Sequence, residues 1–274
     1  MKSDALASSI LEAIKNTDVP WRKTWDEDKM RALRPYNPIT STVYRGSNAM
    51  RLYFPILKKL IENADYIPDY RYATFSQLKK QGCHLKSGSS GNLILYWQYP
   101  QYDEEGNLVR RGFYKTFAVF NFSDVETPEG FTNNEIKRYS PKENYLKEII
   151  EKLEVKIFSK EGMYPCYNPK ENAVYMPKEF FTKTDGISTF FHELVHWTAR
   201  NLESCKRKLE YPHEELVAEM GSFMLCQHFG VKFEPSDLDN YYAYLKGWLN
   251  AYSSEEEKLK RISEAISFAS KAQT

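Results

Sequence analysis

His192-Glu193-Leu194-Val195-His196 places two imidazoles four residues apart, with a carboxylate directly after the first. On an α-helix this spacing projects both rings from one face, where they can bind a single Zn2+. It also sets the glutamate beside the metal, to take a proton from its water. With five histidines in 274 residues, chance would supply the pattern in about one such sequence in a hundred. A zinc centre that performs chemistry uses three protein ligands and keeps a position open. The string His213-Glu214-Glu215-Leu216-Val217-Ala218-Glu219 offers the third ligand. Glu215 and Glu219 share one helix face. Glu219 falls within the apolar stripe of Leu216, Met220 and Phe223, where an unpaired charge is very costly. Glu215 is therefore assigned as the third ligand to one Zn2+ per chain, and Glu219 as the group that orients a ligand histidine, with the reverse assignment close behind. Glu214 reads as a solvated acidic residue favoured by the helix dipole. Tyr175, Tyr211 and His213 are candidates for stabilising an oxyanion, and their spacing does not choose among them.

The elements that must hold these residues are legible from periodicity. Ile187, Phe190, Phe191, Leu194 and Val195 repeat as one buried stripe, with Asp185 as N-cap, so residues 186–201 are predicted helical. A turn beginning near Glu203 carries Lys206, Arg207 and Lys208, read as a solvated basic patch. It lets a second helix over 212–229 pack back antiparallel on the first. One further helical stretch is expected over 238–272. Before these come a helix over 145–153 and short strands at 155–158 and 173–176, separated by a turn at Asn168-Pro169. Towards the N-terminus, Leu6, Ile10, Leu11 and Ile14 mark a helix over 5–15. A second helix spans 48–61, a short one 74–81, and strands at 92–99 and 113–122 flank a hairpin tip at 103–107. Residues 122–140 hold Pro128 and Gly130 and lack periodicity, the best place for a linker. The reading is α+β: an α+β domain over 1–125, a linker over 126–140, and a mainly helical domain with a small sheet over 141–274.

Composition sets outer limits. The chain is 42% hydrophobic, 27% charged and 15% aromatic, with a mean hydropathy of −0.62, which is globular rather than disordered or fibrous. No apolar run is long enough to cross a bilayer. Cys83, Cys166, Cys205 and Cys226 form no C-x-x-C pair, and residues 1–17 carry no secretion signal, so a cytoplasmic protein with reduced thiols is expected, away from membranes. The net charge of +1 hides an asymmetry: residues 1–125 hold 18 Lys+Arg against 13 Asp+Glu, and residues 126–274 hold 20 against 24. The basic half also contains 19 aromatic residues, the combination used to stack unpaired bases along a phosphate backbone.

The sequence resembles the ArdC-type antirestriction proteins of plasmids and other mobile elements, a family that includes the N-terminal region of TraC-type DNA primases. The N-terminal matches are Pro20-Trp21, Asn37-Pro38-Ile39-Thr40, Tyr44-Arg45-Gly46-Ser47-Asn48, Thr74 with Gln77, Gly82, Lys86-Ser87-Gly88 and Val119-Phe120-Asn121. The C-terminal matches are Tyr167-Asn168-Pro169, Met176-Pro177, the histidine motif continued by Trp197-Thr198, and Glu214 to Glu219. This chain departs from the family at Ala199 and at His84-Leu85, where glycines are usual. The resemblance implies a single-stranded-DNA-binding N-terminal domain joined to a zincin-like metallopeptidase domain. It nominates Trp21, Asn37, Thr40, Tyr44, Arg45, Asn48, Gln77 and Lys86 for DNA contact.

Two functions from different classes follow as expectations. One is a single-stranded-DNA-binding antirestriction protein with an attached zinc peptidase-like domain. The other is a metalloprotease acting on a host or DNA-bound protein, delivered to DNA by its N-terminal domain, with the protein substrate open. A purely structural zinc fits less well, because the usual cysteine-rich ligand set is missing.

Overall fold

The computed structural model describes residues 5–15, 35–62, 66–98, 100–103, 105, 107–133, 145–178, 184–231 and 235–272. α1 (Ala5–Lys15) buries Leu6, Ile10, Leu11 and Ile14, the residues that its helical spacing singles out. α2 (Gly46–Glu62) begins at a glycine with φ of 54°, a left-handed conformation free of Cβ strain only for glycine. α3 (Phe75–Lys80) is short and closed by a capping box between Thr74 and Gln77.

Three strands, β1 (Tyr72–Thr74), β3 (Asn92–Gln98) and β6 (Phe113–Asn121), make an antiparallel sheet in the order β1-β6-β3. Two small ladders accompany it: β2 (His84–Leu85) with β7 (Val125–Glu126), and β4 (Gln101–Tyr102) with β5 (Leu108–Arg110). The turn expected at 103–107 is held by Asp103, whose Oδ1 accepts from the N–H of Asn107 at 2.7 Å. The start of the aperiodic stretch after Phe122 is built into this unit as a 3-10 turn, Phe122–Asp124, followed by β7. Elements of two or three residues are too short to leave a period in the sequence.

α4 (Tyr145–Leu153) leads into β8 (Lys156–Ser159), β9 (Cys166–Asn168) and β10 (Ala173–Met176). These form a second sheet in the order β8-β10-β9, with β8 parallel and β9 antiparallel to β10. Sequence reading finds only a turn at β9, because Pro169 follows it directly. α5 (Thr184–Asn201) packs across this sheet, and α6 (Tyr211–Phe229) packs on α5. The single stretch expected over 238–272 is two helices, α7 (Pro235–Leu249) and α8 (Glu255–Ala272). The break has a local cause: Ser254 Oγ accepts from the N–H of Glu257 at 3.1 Å, an N-cap for α8, while Tyr252 is buried between the two helices' ends.

One apolar cluster runs from Leu6, Ile10, Met50 and Leu52 to Phe190, Leu216, Phe223, Leu245 and Ile266, so α1 and α2 share a core with α5 to α8. α5 and α6 approach closely where α6 has no side chain. A Cβ on Gly221 would stand 2.6 Å from Val195 Cγ2. Ser222 Oγ donates to the carbonyl of Ser188 at 2.6 Å just beside this contact.

Candidate metal centre

His192 and His196 lie one turn apart on α5, and Glu215 faces them from α6. The Nε2 atoms of the two rings are 3.2 Å apart. Glu215 Oε2 is 3.3 Å from His192 Nε2, and its Oε1 is 3.7 Å from His196 Nε2. Donor atoms placed tetrahedrally about one ion at ordinary Zn–N and Zn–O bond lengths stand about 3.4 Å from each other. The three residues therefore fit a divalent ion that prefers nitrogen and oxygen ligands, and they are a cluster of ligand atoms all within 4.8 Å.

Each ring nitrogen on the far side is held by its own carboxylate. Glu219 Oε1 stands 3.3 Å from His192 Nδ1, and Glu214 Oε1 stands 3.1 Å from His196 Nδ1. Carboxylates in these positions accept Nδ1–H and present the Nε2 lone pairs to a common point. Without an ion the cluster binds protons instead. Burial pulls the His192 pKa down, but hydrogen bonds to Glu215 and then Glu219 outweigh it and push it up to about 10. For Glu215 burial acts upward, and His192 and His196 nevertheless hold its carboxyl well below the usual range. An ion binding here displaces protons from the rings.

Glu214 differs from its sequence reading. It is not a solvated helix-start residue: besides His196 it receives a two-pronged contact from Arg207, Nε at 2.8 Å and Nη2 at 2.7 Å. Hydrogen bonds to His196 and Arg207 hold its carboxyl low against the opposing effect of burial. The Arg207 side chain is only 1% exposed and also donates to the carbonyl of Val195 at 3.0 Å. The expected basic patch at 206–208 is thus split, since Lys206 pairs with Glu203 and Arg207 turns inward. The sequence does carry a signal, an arginine seven residues before a glutamate in a helix that faces a histidine pair, but no local rule separates it from a surface turn.

Glu193 projects towards β9. Its Oε2 accepts from the backbone N–H of Tyr167 at 2.7 Å, which anchors one carboxylate oxygen and leaves Oε1 free of that bond. The three oxyanion candidates part ways. His213 is buried on the other side of α6, with Nε2 3.7 Å from Glu264 and its ring edge-on to Phe268. Tyr175 donates its hydroxyl to Glu171. Tyr211, one turn before Glu215 on the same face of α6, is exposed and rests edge-on against Trp248 at 5.4 Å. Desolvation raises its phenol pKa first, and the charge of Glu215 raises it further.

The residues nominated for DNA contact fall into two groups. Asn37, Gln77 and Asn48 commit side-chain amide groups inside the protein. Asn37 Nδ2 donates to Gln77 Oε1 at 2.9 Å, and Asn37 Oδ1 accepts from the N–H groups of Ile39 and Thr40. Asn48 pairs with the free edge of β3, donating to the carbonyl of Leu95 at 2.7 Å and accepting from its N–H at 2.8 Å. Thr40, Arg45 and Lys86 are exposed, with Lys86 Nζ donating to the carbonyl of Ser123 and Thr40 Oγ1 sharing a hydrogen bond with Thr42. Tyr44 is half-buried, its hydroxyl 3.4 Å from the carbonyl of Tyr72. Trp21 lies outside the described residues.

The family model for the N-terminal domain of anti-restriction factor ArdC matches residues 3–120, and a zincin-like metallopeptidase model matches residues 144–265. The chain thus joins a domain matching the ArdC N-terminal family to a zincin-like metallopeptidase domain. Two Escherichia coli proteins named DNA primase TraC are 24% and 26% identical to this chain over 92% and 94% of its length. The chain spans only 18% and 25% of those primases. A Sinorhizobium fredii protein, y4eC, is 23% identical over 98% of the chain and 88% of its own length. Among solved structures, the Mn(II)-bound and metal-free antirestriction ArdC protein of plasmid R388 share the fold. Their TM-scores are 0.63 and 0.59 at 22% and 20% identity, over 98% of this chain and 97% of theirs. Among the described residues, no helix is long and apolar enough to cross a membrane.

Proposed function

We propose that the chain is a cytoplasmic single-stranded-DNA-binding antirestriction-type protein of a mobile element, carrying a zinc-dependent peptidase-like centre with one Zn2+ per chain. The observation that carries this reading is the convergence of His192 Nε2, His196 Nε2 and the Glu215 carboxylate beside Glu193, in a chain whose other half matches an ArdC N-terminal domain. Zinc held there supplies Lewis acidity that polarises a carbonyl and eases ionisation of a water. Glu214 and Glu219 fix the ring orientations, and Glu215 completes the ligand set. Glu193, anchored through Oε2 by the Tyr167 N–H, takes up a proton at Oε1 as general base.

The division of labour we propose is a DNA-binding domain over 1–125, a linker over 126–140 and a peptidase-like domain over 141–274. Arg45, Lys86 and Thr40 would meet phosphate, and Trp21 and Tyr44 would add aromatic surface. Asn37, Gln77 and Asn48 would act by shaping the loop that presents them. A second reading, a metalloprotease of a host or DNA-bound protein, is favoured by one feature. β9 pairs with β10 on one side, and its other side adjoins Glu193, where an extended peptide can add as a further strand.

The test is metal analysis combined with binding of single-stranded and duplex oligonucleotides across a salt series. The expected result is close to one zinc per chain, with single strands preferred and affinity falling as salt rises. Lack of single-strand binding at low salt would overturn the reading.

A further inference from the structure

The aromatic residues of the basic half are not all spent on the core. β3 and β6 pair so that Ile94 stands opposite Phe117, Tyr96 opposite Lys115 and Gln98 opposite Phe113. Because side chains alternate along a strand, Phe117, Lys115 and Phe113 share one face with Ile94, Tyr96 and Gln98. Val119, next on the same face, is fully buried, and the row then climbs out of the core. Phe117 is partly buried, Lys115 is exposed, and Tyr96 and Phe113 are 55% and 43% exposed. Large rings that keep about half of their surface in solvent, grouped on one face, mark an interaction surface.

The charges around the rings have a consistent sign. Lys115 Nζ lies over the Phe117 ring at 5.2 Å, and the Arg110 guanidinium lies over Phe113 at 5.3 Å. Tyr96 and Phe117 make a T-shaped contact at 6.4 Å between centroids, and Tyr96 keeps more than half of its surface in solvent. The acidic residues described in the hairpin, Asp103 and Glu105, sit at its tip, where Asp103 is engaged by Asn107. Side chains two residues apart along a strand stand about 6.8 Å apart, twice the 3.4 Å rise of one strand of a duplex. Such a row suits bases that are splayed rather than stacked on each other, each meeting a ring while the neighbouring cation meets phosphate.

Building on the reading of the chain as a single-strand binder, we propose that this β3–β6 face is its base-stacking surface. Tyr96 and Phe113 are the rings that receive bases, and Lys115 and Arg110 are the cations that meet the backbone. None of these four is among the residues that the sequence nominated. The surface takes an unpaired strand of DNA without reading its sequence, since every base offers a π face and none of the four is placed to read a base edge.

The experiment uses the full chain, an oligo-dT probe and fluorescence anisotropy at one fixed salt concentration. The double variant Tyr96→Ala/Phe113→Ala should bind roughly a hundredfold more weakly, about tenfold for each ring, with metal content unchanged and Tm lowered by no more than a few degrees, since each ring has about half of its surface in solvent. Phe113→Trp should retain binding, since it keeps a π face. Lys115→Ala should lower the slope of log affinity against log salt by about 0.7, one single-strand phosphate contact. Wild-type binding with no loss in the double variant would overturn the assignment of this face and leave the parent reading standing. Absence of wild-type binding would overturn that parent reading, and this proposal with it.

Discussion

Gly221 on α6 and Val195 on α5 are in such close contact that a Cβ on the glycine would lie 2.6 Å from one Val195 methyl and 3.0 Å from the other. Val195 belongs to the turn between the two histidines proposed as ligands, and Gly221 follows Glu215 and Glu219 on α6. The gap left by one missing methyl thus sets how near the Glu215-bearing helix comes to the histidine pair. Gly221→Ala should destabilise the protein by about 1–3 kcal/mol through overpacking and weaken metal binding as α6 is pushed away. Adding Val195→Ala should recover part of both. Thermal unfolding and a metal titration on the single and double variants check this, and an unaffected titration would show that the contact does not set the site.

Arg207 is buried, and its partner Glu214 depends on it. Arg207→Ala leaves Glu214 without its guanidinium, a change that costs about 3–5 kcal/mol in buried pairs. Glu214→Gln keeps the shape and removes the charge that holds the His196 Nδ1 proton. It should lower metal affinity about 10- to 100-fold with a smaller loss of stability. Metal affinity that is identical in Glu214→Gln and wild type would show that the carboxylate only packs.

The third-ligand assignment is decided by comparing two glutamines. Glu215→Gln should lose most of its bound metal, whereas Glu219→Gln should retain the ion with lower affinity, because Glu219 reaches His192 Nδ1 rather than the converging Nε2 atoms. Metal content by elemental analysis reads the order directly, and a reversed order would exchange the two roles.

Glu193→Gln should abolish any hydrolysis while leaving the metal in place and DNA affinity within about twofold. Its carboxylate bonds the Tyr167 N–H beside the cluster and supplies none of the converging ligand atoms. Parallel measurements of zinc content and oligonucleotide binding test this separation, and a large loss of DNA affinity at full zinc occupancy would show that the two sites are one.

Asn48→Ala should cost about 1–3 kcal/mol of stability, since both backbone groups of Leu95 that it pairs on the free edge of β3 lose their partner. A denaturant midpoint that does not move would mean that solvent satisfies those groups equally well.

Much of the centre is legible in the amino-acid sequence, because its decisive spacings are local. His192 and His196 face one way because they stand one helical turn apart, and Glu215 and Glu219 repeat the same period. The helices themselves announce their buried faces through residues such as Phe190, Leu194 and Ile10. Local periodicity cannot say which of two adjacent glutamates, Glu214 or Glu215, faces which histidine nitrogen. That depends on how close α6 approaches α5, set by Gly221 against Val195. Nor can it distinguish Arg207 from a surface lysine, since its burial comes from a contact with a helix that begins four residues later. β9 escapes a reading by pattern because three residues carry no period, and their strand character comes only from pairing with β10. Asn37, Gln77 and Asn48 are polar by type and suit an exposed surface, yet their amides are satisfied by groups 40 and 47 residues away. A side chain's type and spacing determine what it can bond and which face it occupies, while the partner across a long loop exists only once the chain has closed upon itself.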